Sequence, residues 1–151
     1  MSDPRHVVAE WQGGLAAVVT ARDHELVADE PEAYGGGNGG MMPTELFFAG
    51  LASCFCLAVA HVAAKRDIEL PGLRVTVDAE RVGKELRYSR LRVEVAAIAG
   101  EHDLEALVDR AKPFCWVSNM LASDLDVAYV PVILDAVPSN ASDPSIRSDA
   151  R

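Results

Sequence analysis

Cysteines carry most of the chemical potential of this chain, and their spacing limits what they can do. Cys54 and Cys56 stand two apart in a run from Leu46 to Ala64 that is almost all apolar or small. On a helix, residues two apart point roughly 200° from each other, so this Cys-x-Cys pair cannot close on one metal. Cys115 comes much later, just past Pro113 and near the start of an expected short helix. A helix N-terminus lowers a thiol's pKa and favours the reactive thiolate. Free cysteine is also a small hydrophobe, so burial of all three in the core stays open beside the reactive reading. His6, His24, His61 and His102 have no zinc-finger spacing to the cysteines. His61 lies two turns after Cys54 on the same face, but two turns rise about 10 Å, too far for a Cys–His hydrogen bond. It therefore reads as a core histidine. Gly50-Leu51-Ala52-Ser53 lacks the closing glycine of a nucleophile elbow. No metal and no cofactor is expected.

The elements that must position these thiols follow from the apolar pattern. Gly14 to Ala21 reads as a strand, Arg22-Asp23 as a turn, and His24 to Asp29 as a returning strand. Pro31 and the run Gly35-Gly36-Gly37-Asn38-Gly39-Gly40 hold no regular element. That run matches neither a dinucleotide fingerprint nor a P-loop, and reads first as a flexible connector and second as a ligand-touching loop. Pro43 to Arg66 is a helix, with Pro43 in its first turn and Glu45 favourably placed at its positive end. It has no polar stripe, so it should be buried all round. Its length also suits a membrane span, but Ser53, His61, the cysteines and the amphipathic strands downstream argue for a core helix.

Leu73 to Val82 and Tyr88 to Ala99 alternate, with Leu91, Val93, Val95 and Ala97 inward and Arg90, Arg92 and Glu94 outward. Gly83-Lys84-Glu85 joins them as a hairpin. Asp103 to Lys112 is helical, Pro113 breaks it, and Phe114 to Ser123 is a second short helix. Val127 to Leu134 is a last strand, which Pro131 puts at an edge or bulge. The expected fold class is α+β, an antiparallel sheet of about five strands packed on a long, central, buried helix. Residues 1–138 form a single domain and 139–151 a polar C-terminal tail. One sheet covers only one side of such a helix, so a second copy of the chain is the simplest cover for the rest, which predicts a homodimer.

The chain has 151 residues, enough for one sizeable core. Lys and Arg number 14 against 23 Asp and Glu, a formal charge of −9. Such a surface repels phosphate backbones and anionic lipid, so neither a nucleic-acid partner nor a membrane is expected. Three cysteines are too few for a disulfide framework, and Met1-Ser2-Asp3-Pro4-Arg5 lacks the order of a secretory signal. A cytoplasmic location is expected.

The stretch Pro43-Thr44-Glu45-Leu46-Phe47-Phe48-Ala49-Gly50-Leu51-Ala52-Ser53-Cys54-Phe55 resembles the central helix of the OsmC/Ohr family, the osmotically inducible and organic-hydroperoxide-resistance proteins, in its Pro-Thr-Glu-Leu branch. Cys115-Trp116-Val117-Ser118 is similar to the family's second cysteine signature, with Trp116 where proline is usual. Arg22 to Pro31, followed by glycines, is similar to the upstream segment. The resemblance spans about residues 13–135. It implies an intertwined homodimer and a thiol-dependent peroxidase that reduces organic hydroperoxides and is recharged by an external dithiol. Cys54 would be the peroxidatic thiol and Cys115 the resolving one, linked through sulfenic acid and a disulfide. Arg22 would supply a guanidinium that lowers the pKa of the Cys54 thiol, and Glu45 the carboxylate that pairs with Arg22. In the better-known peroxidases the glutamate directly follows the proline, where this chain has Thr44. Phe47, Phe48, Phe55, Phe114 and Trp116 either line an apolar substrate pocket or serve as ordinary core. The alternative to the peroxidase is a module of the same fold that binds a small apolar ligand at the dimer interface.

Overall fold

The computed structural model describes residues 5–137 except 82, 85 and 122. The expected polar tail lies outside the described residues. The fold is α+β, with two three-stranded sheets and one long helix. The chain divides into two compact units, the first running to Gly50 and the second starting at Leu51.

In the first unit, β1 (Val8–Gly13), β2 (Ala16–Ala21) and β3 (His24–Ala28) form an antiparallel meander. β1 lies before the point where the sequence pattern starts to read as strand. Its six residues do not alternate cleanly, and a register irregularity between Trp11 and Gly13 interrupts its pairing. Gly13 and Gly14 both take positive φ to make the β1–β2 turn, a conformation open to glycine at no steric cost.

The glycine run after β3 is an ordered loop rather than a slack connector. The buried Asp29 carboxylate accepts from the backbone N–H of Glu30 at 2.8 Å, Gly37 at 3.0 Å and Gly39 at 2.9 Å. The Asp29 N–H donates to the Met41 carbonyl at 3.1 Å and closes the neck of the loop. Backbone donors in a loop need an acceptor, and one acid at the head of the loop serves three of them.

Helix α1 (Pro43–Ala64) emerges from this neck. Pro43 occupies its first position, and the Glu45 carboxylate accepts from the Met42 N–H at 2.9 Å, half of a capping box. Leu51, Phe55, Ala58, Val59, Val62 and Ala63 are its buried residues, a single stripe at helical spacing. The helix is thus buried on one face rather than all round; Leu57, on another face, is 70% exposed. Among the described residues it is the one helix long and apolar enough to cross a membrane.

The second unit carries the main core. β4 (Arg74–Glu80) and β5 (Arg90–Ala97) pair as the expected antiparallel hairpin. Leu91, Val93, Val95 and Ala97 are all buried, and the outward Arg90 bridges Glu80 at 3.2 Å and Asp126 at 3.1 Å. β6 (Asp126–Ile133) pairs with β5 in parallel, so this sheet is mixed rather than antiparallel, and Pro131 sits on its edge strand. The physical reason is α2 (Leu104–Ala111), which lies between β5 and β6 and contacts β6. A connection of that length carries the chain back to the same end of the sheet. Asp103 caps α2 by accepting from the Ala106 N–H at 3.0 Å. The Phe55 ring packs on that of Tyr129 in β6, with centroids 4.9 Å apart.

Candidate active site

Cys54, Leu57 and His61 sit on α1 at intervals of three and four residues, so they share one helix face. With Ala58, Phe114 and Trp116 they line a recess of ≈ 350 Å³. Its wall is mostly apolar. Cys54 is half-buried there, whereas Cys56, two residues on, is absent from the lining.

Cys115 ends the 3-10 turn in which Pro113 sits, directly after α2. α2 tightens into a 3-10 turn, Lys112–Phe114, and the Cys115 N–H donates to the Lys112 carbonyl at 3.2 Å. The expected second helix over 114–123 is not there. A single 3-10 turn, Ser118–Met120, follows instead. Cys115 therefore has no helix N-terminus to lower its pKa. It is fully buried, and burial pushes its thiol above the ordinary range. Hydrogen bonds from the Ser118 side chain and backbone pull it partly back, and a hydrogen bond with the Cys54 sulfur pushes it up again. The Cys54 thiol is thus near enough to perturb the ionisation of Cys115. Burial also raises the Cys56 pKa.

His61 is exposed at the rim of the recess rather than buried in the core, and its ring lies 5.6 Å from that of Phe114. It lines the recess together with Cys54, with no hydrogen bond between the two among the described residues. Phe55 is core, as its packing on Tyr129 shows, whereas Trp116 is 82% exposed.

Arg22 and Glu45 belong to the first unit. Arg22 is exposed at the β2–β3 turn with φ 54°, a left-handed conformation that costs a non-glycine residue about 1 kcal/mol or more. It lines a second recess, of ≈ 430 Å³, with Arg5, His6 and Thr20 among its neighbours. Glu45 is engaged in the cap of its own helix. Among the described residues these two form no ion pair with each other. Asp29 is the residue of this unit that the motifs did not single out; the signal available was an acid heading a glycine-rich run.

At neutral pH, iodoacetamide should alkylate Cys54 before Cys56 or Cys115. Both of the latter have raised pKa values, so their labelling should climb only as the pH passes above the ordinary thiol range. Peptide mapping by mass spectrometry reads the order, and earlier labelling of either one would contradict this geometry.

Residues 35–130 match the family described as OsmC-like protein. The organic hydroperoxide resistance protein of Xanthomonas axonopodis pv. citri is 33% identical over 138 residues, covering 84% of this chain and 96% of the relative. The organic hydroperoxide resistance protein OhrB of Bacillus subtilis is 31% identical over 128 residues, covering 77% and 89%. A crystal structure from Legionella pneumophila, described as an organic hydroperoxide resistance protein OsmC, superposes with a TM-score of 0.65 at 28% identity, covering 86% of this chain and 97% of that one. With the family's pattern covering most of the chain, and relatives of this identity matched over nearly their full length, the chain belongs to the OsmC-like family.

Proposed function

We propose that the chain is a thiol-dependent peroxidase that reduces organic hydroperoxides at Cys54, with Cys115 as the resolving thiol. One observation carries the reading: Cys54 lines a mostly apolar recess and lies near enough to the buried Cys115 to perturb its thiol. The names of the relatives point to the same substrate class. The Cys54 thiolate attacks the terminal oxygen of the hydroperoxide, the O–O bond breaks, and the alkoxide leaves and takes a proton. Cys54 is left as sulfenic acid. The Cys115 thiol then condenses with it; an S–S bond forms, and the hydroxyl departs as water with the Cys115 proton. An external dithiol returns two electrons by thiol–disulfide exchange. Leu57, Ala58, Phe114 and Trp116 give an organic peroxide more apolar contact than hydrogen peroxide can use. On the motif match, Arg22 supplies a guanidinium to the charged sulfur and Glu45 the carboxylate partner of Arg22. A cytoplasmic location suits the three free thiols.

The cap held by Glu45 favours a second reading, because a carboxylate already used by its own helix is less free for a guanidinium. On that reading the recess binds a small apolar ligand and performs no redox step. Consumption of cumene hydroperoxide against hydrogen peroxide, with dithiothreitol as reductant, separates the two. A peroxidase consumes the organic peroxide faster, and no consumption of either would leave the binding module.

The same reading makes the chain a homodimer. Leu57, Trp116 and Met120, at 70%, 82% and 77% exposure, are costly to leave in water. Unfolding should therefore be coupled to dissociation, with a midpoint that rises with protein concentration. A stable, folded monomer at micromolar concentration in sedimentation equilibrium would sink this.

A further inference from the structure

We infer that Ser118 is the hydrogen-bond donor that lets Cys115 depart when the Cys54–Cys115 disulfide is reduced, so that an attacking dithiol is directed to Cys54. The inference rests on the two-thiol reading above. Its ground is local geometry. The Ser118 N–H points at the Cys115 sulfur at 3.5 Å. The Ser118 hydroxyl donates to the carbonyl of the same Cys115 at 3.1 Å. One residue thus brings a fixed donor to the buried sulfur and a rotatable donor to the carbonyl of the same cysteine. Neutral thiol is a poor acceptor, so the hydroxyl rests on the carbonyl; a thiolate is a strong one, and the hydroxyl can swing to it.

Both donors matter at one step. A reductant thiolate attacks one sulfur of the disulfide, the S–S bond breaks, and the electron pair leaves on the other sulfur. Cys115 is fully buried, while Cys54 lines the recess, so access favours attack at Cys54. Cys115 must then leave as a thiolate inside the protein. Burial opposes that charge, and the Ser118 donors offset the opposition. A better-stabilised leaving thiolate leaves faster. The mixed disulfide on Cys54 is resolved by the second thiol of the reductant, which releases Cys54 and the oxidised dithiol, and Cys115 regains a proton. In the oxidative direction Cys115 attacks rather than leaves, and the first step, O–O cleavage at Cys54, does not involve Ser118.

The test separates the two directions. The disulfide is formed with diamide, which needs no peroxidase activity, and its reduction by dithiothreitol is followed through the fluorescence of Trp116, next to Cys115. Ser118→Ala should slow reduction about 10-fold or more, the scale of one hydrogen bond to a charged group. The stoichiometric burst of cumene hydroperoxide consumption by reduced protein should stay within about two-fold of wild type, which also shows that the variant folds. Ser118→Thr should restore the reduction rate. In a Cys54→Ser background, Ser118→Ala should move Cys115 alkylation to higher pH. Reduction at the wild-type rate in Ser118→Ala, equal slowing of reduction and burst, or a monothiol adduct trapped on Cys115 would each overturn the inference, as would failure of diamide to link the two cysteines. Absence of the peroxide burst in wild type, with the reduction effect intact, would instead remove the peroxidase reading and leave the Ser118 role standing.

Discussion

Cys54→Ser should abolish dithiol-dependent turnover of cumene hydroperoxide, by at least about 1000-fold, as loss of a covalent nucleophile does. A serine hydroxyl on an apolar helix face has no means of attacking a peroxide oxygen. Cys115→Ser should behave differently. Cys54 keeps its place in the recess, so one equivalent of peroxide is consumed at close to the normal rate. The sulfenic acid then lacks the neighbour with which it forms a disulfide, and later cycles wait on the external dithiol reaching the recess. Sulfenic acid on Cys54 should accumulate and react with dimedone, and prolonged peroxide should drive it to the irreversible sulfinic level. The measurement is peroxide consumed per protein against time. Retention of full steady-state turnover by Cys54→Ser would end the peroxidase assignment, and an unchanged steady state in Cys115→Ser would remove its resolving role.

Gly36→Ala and Gly40→Ala should each destabilise the protein by about 3 kcal/mol or more, near the top of the range for single substitutions. A Cβ on Gly36 would lie 1.9 Å from the Glu30 carbonyl oxygen, and one on Gly40 would lie 2.0 Å from that of Val27. Both obstacles are backbone, so no rotamer change relieves them. The loop would have to open, and opening it strips the buried Asp29 carboxylate of N–H donors. Gly50→Ala is the control: nothing lies within 4 Å of its Cβ, and alanine in a helix gains up to about 1 kcal/mol over glycine. Urea unfolding of the three variants at one protein concentration reads the difference. A slack linker would accept all three equally, so wild-type stability in Gly40→Ala would contradict the ordered loop.

That loop marks where the sequence stops being legible. Six residues, five of them glycine, have no period, so pattern reasoning sees only a breaker; what organises them is one carboxylate at Asp29, and a single acid leaves no periodic trace. Strands with one wet face were easy to read, because Leu91, Val93 and Val95 alternate with Arg90, Arg92 and Glu94. The ends of α1 were marked by Pro43 and by Lys65-Arg66, and Pro43–Ala64 is the helix. Direction of pairing was not written in the strands. Val127 to Leu134 looks the same whether it runs with or against β5, and only the intervening α2 decides it. The stretch after Pro113 misleads for a similar reason: apolar residues at helical spacing over so short a run are equally served by a 3-10 turn. The thiols became legible through their motifs, and the structure adds that Cys54 lies near enough to perturb the buried Cys115 thiol. For Arg22 and Glu45 the motifs name the chemistry, but the partner of a side chain is a tertiary fact that local sequence does not encode.

The parallel seating of β6 on β5 has a consequence for the order in which the molecule can be made. β4 and β5 are separated by only nine residues, 81–89, and can zip as soon as both exist. The far edge of β5 has no such neighbour: Arg90 meets Asp126 and Ala97 meets Ile133 only after α2 and its flanking turns have been synthesised. Until then the central strand of the sheet offers a row of open N–H and C=O groups, the kind of edge that captures other chains. Closing so long a connection before its contacts form is the slow sort of step in folding. Cys115 lies inside that same connection. If Cys54 and Cys115 form the proposed redox pair, a newborn chain carries Cys54 for some time before the segment that brings Cys115 has settled, and in a cell under oxidant that interval would leave the Cys54 sulfur without its resolving thiol.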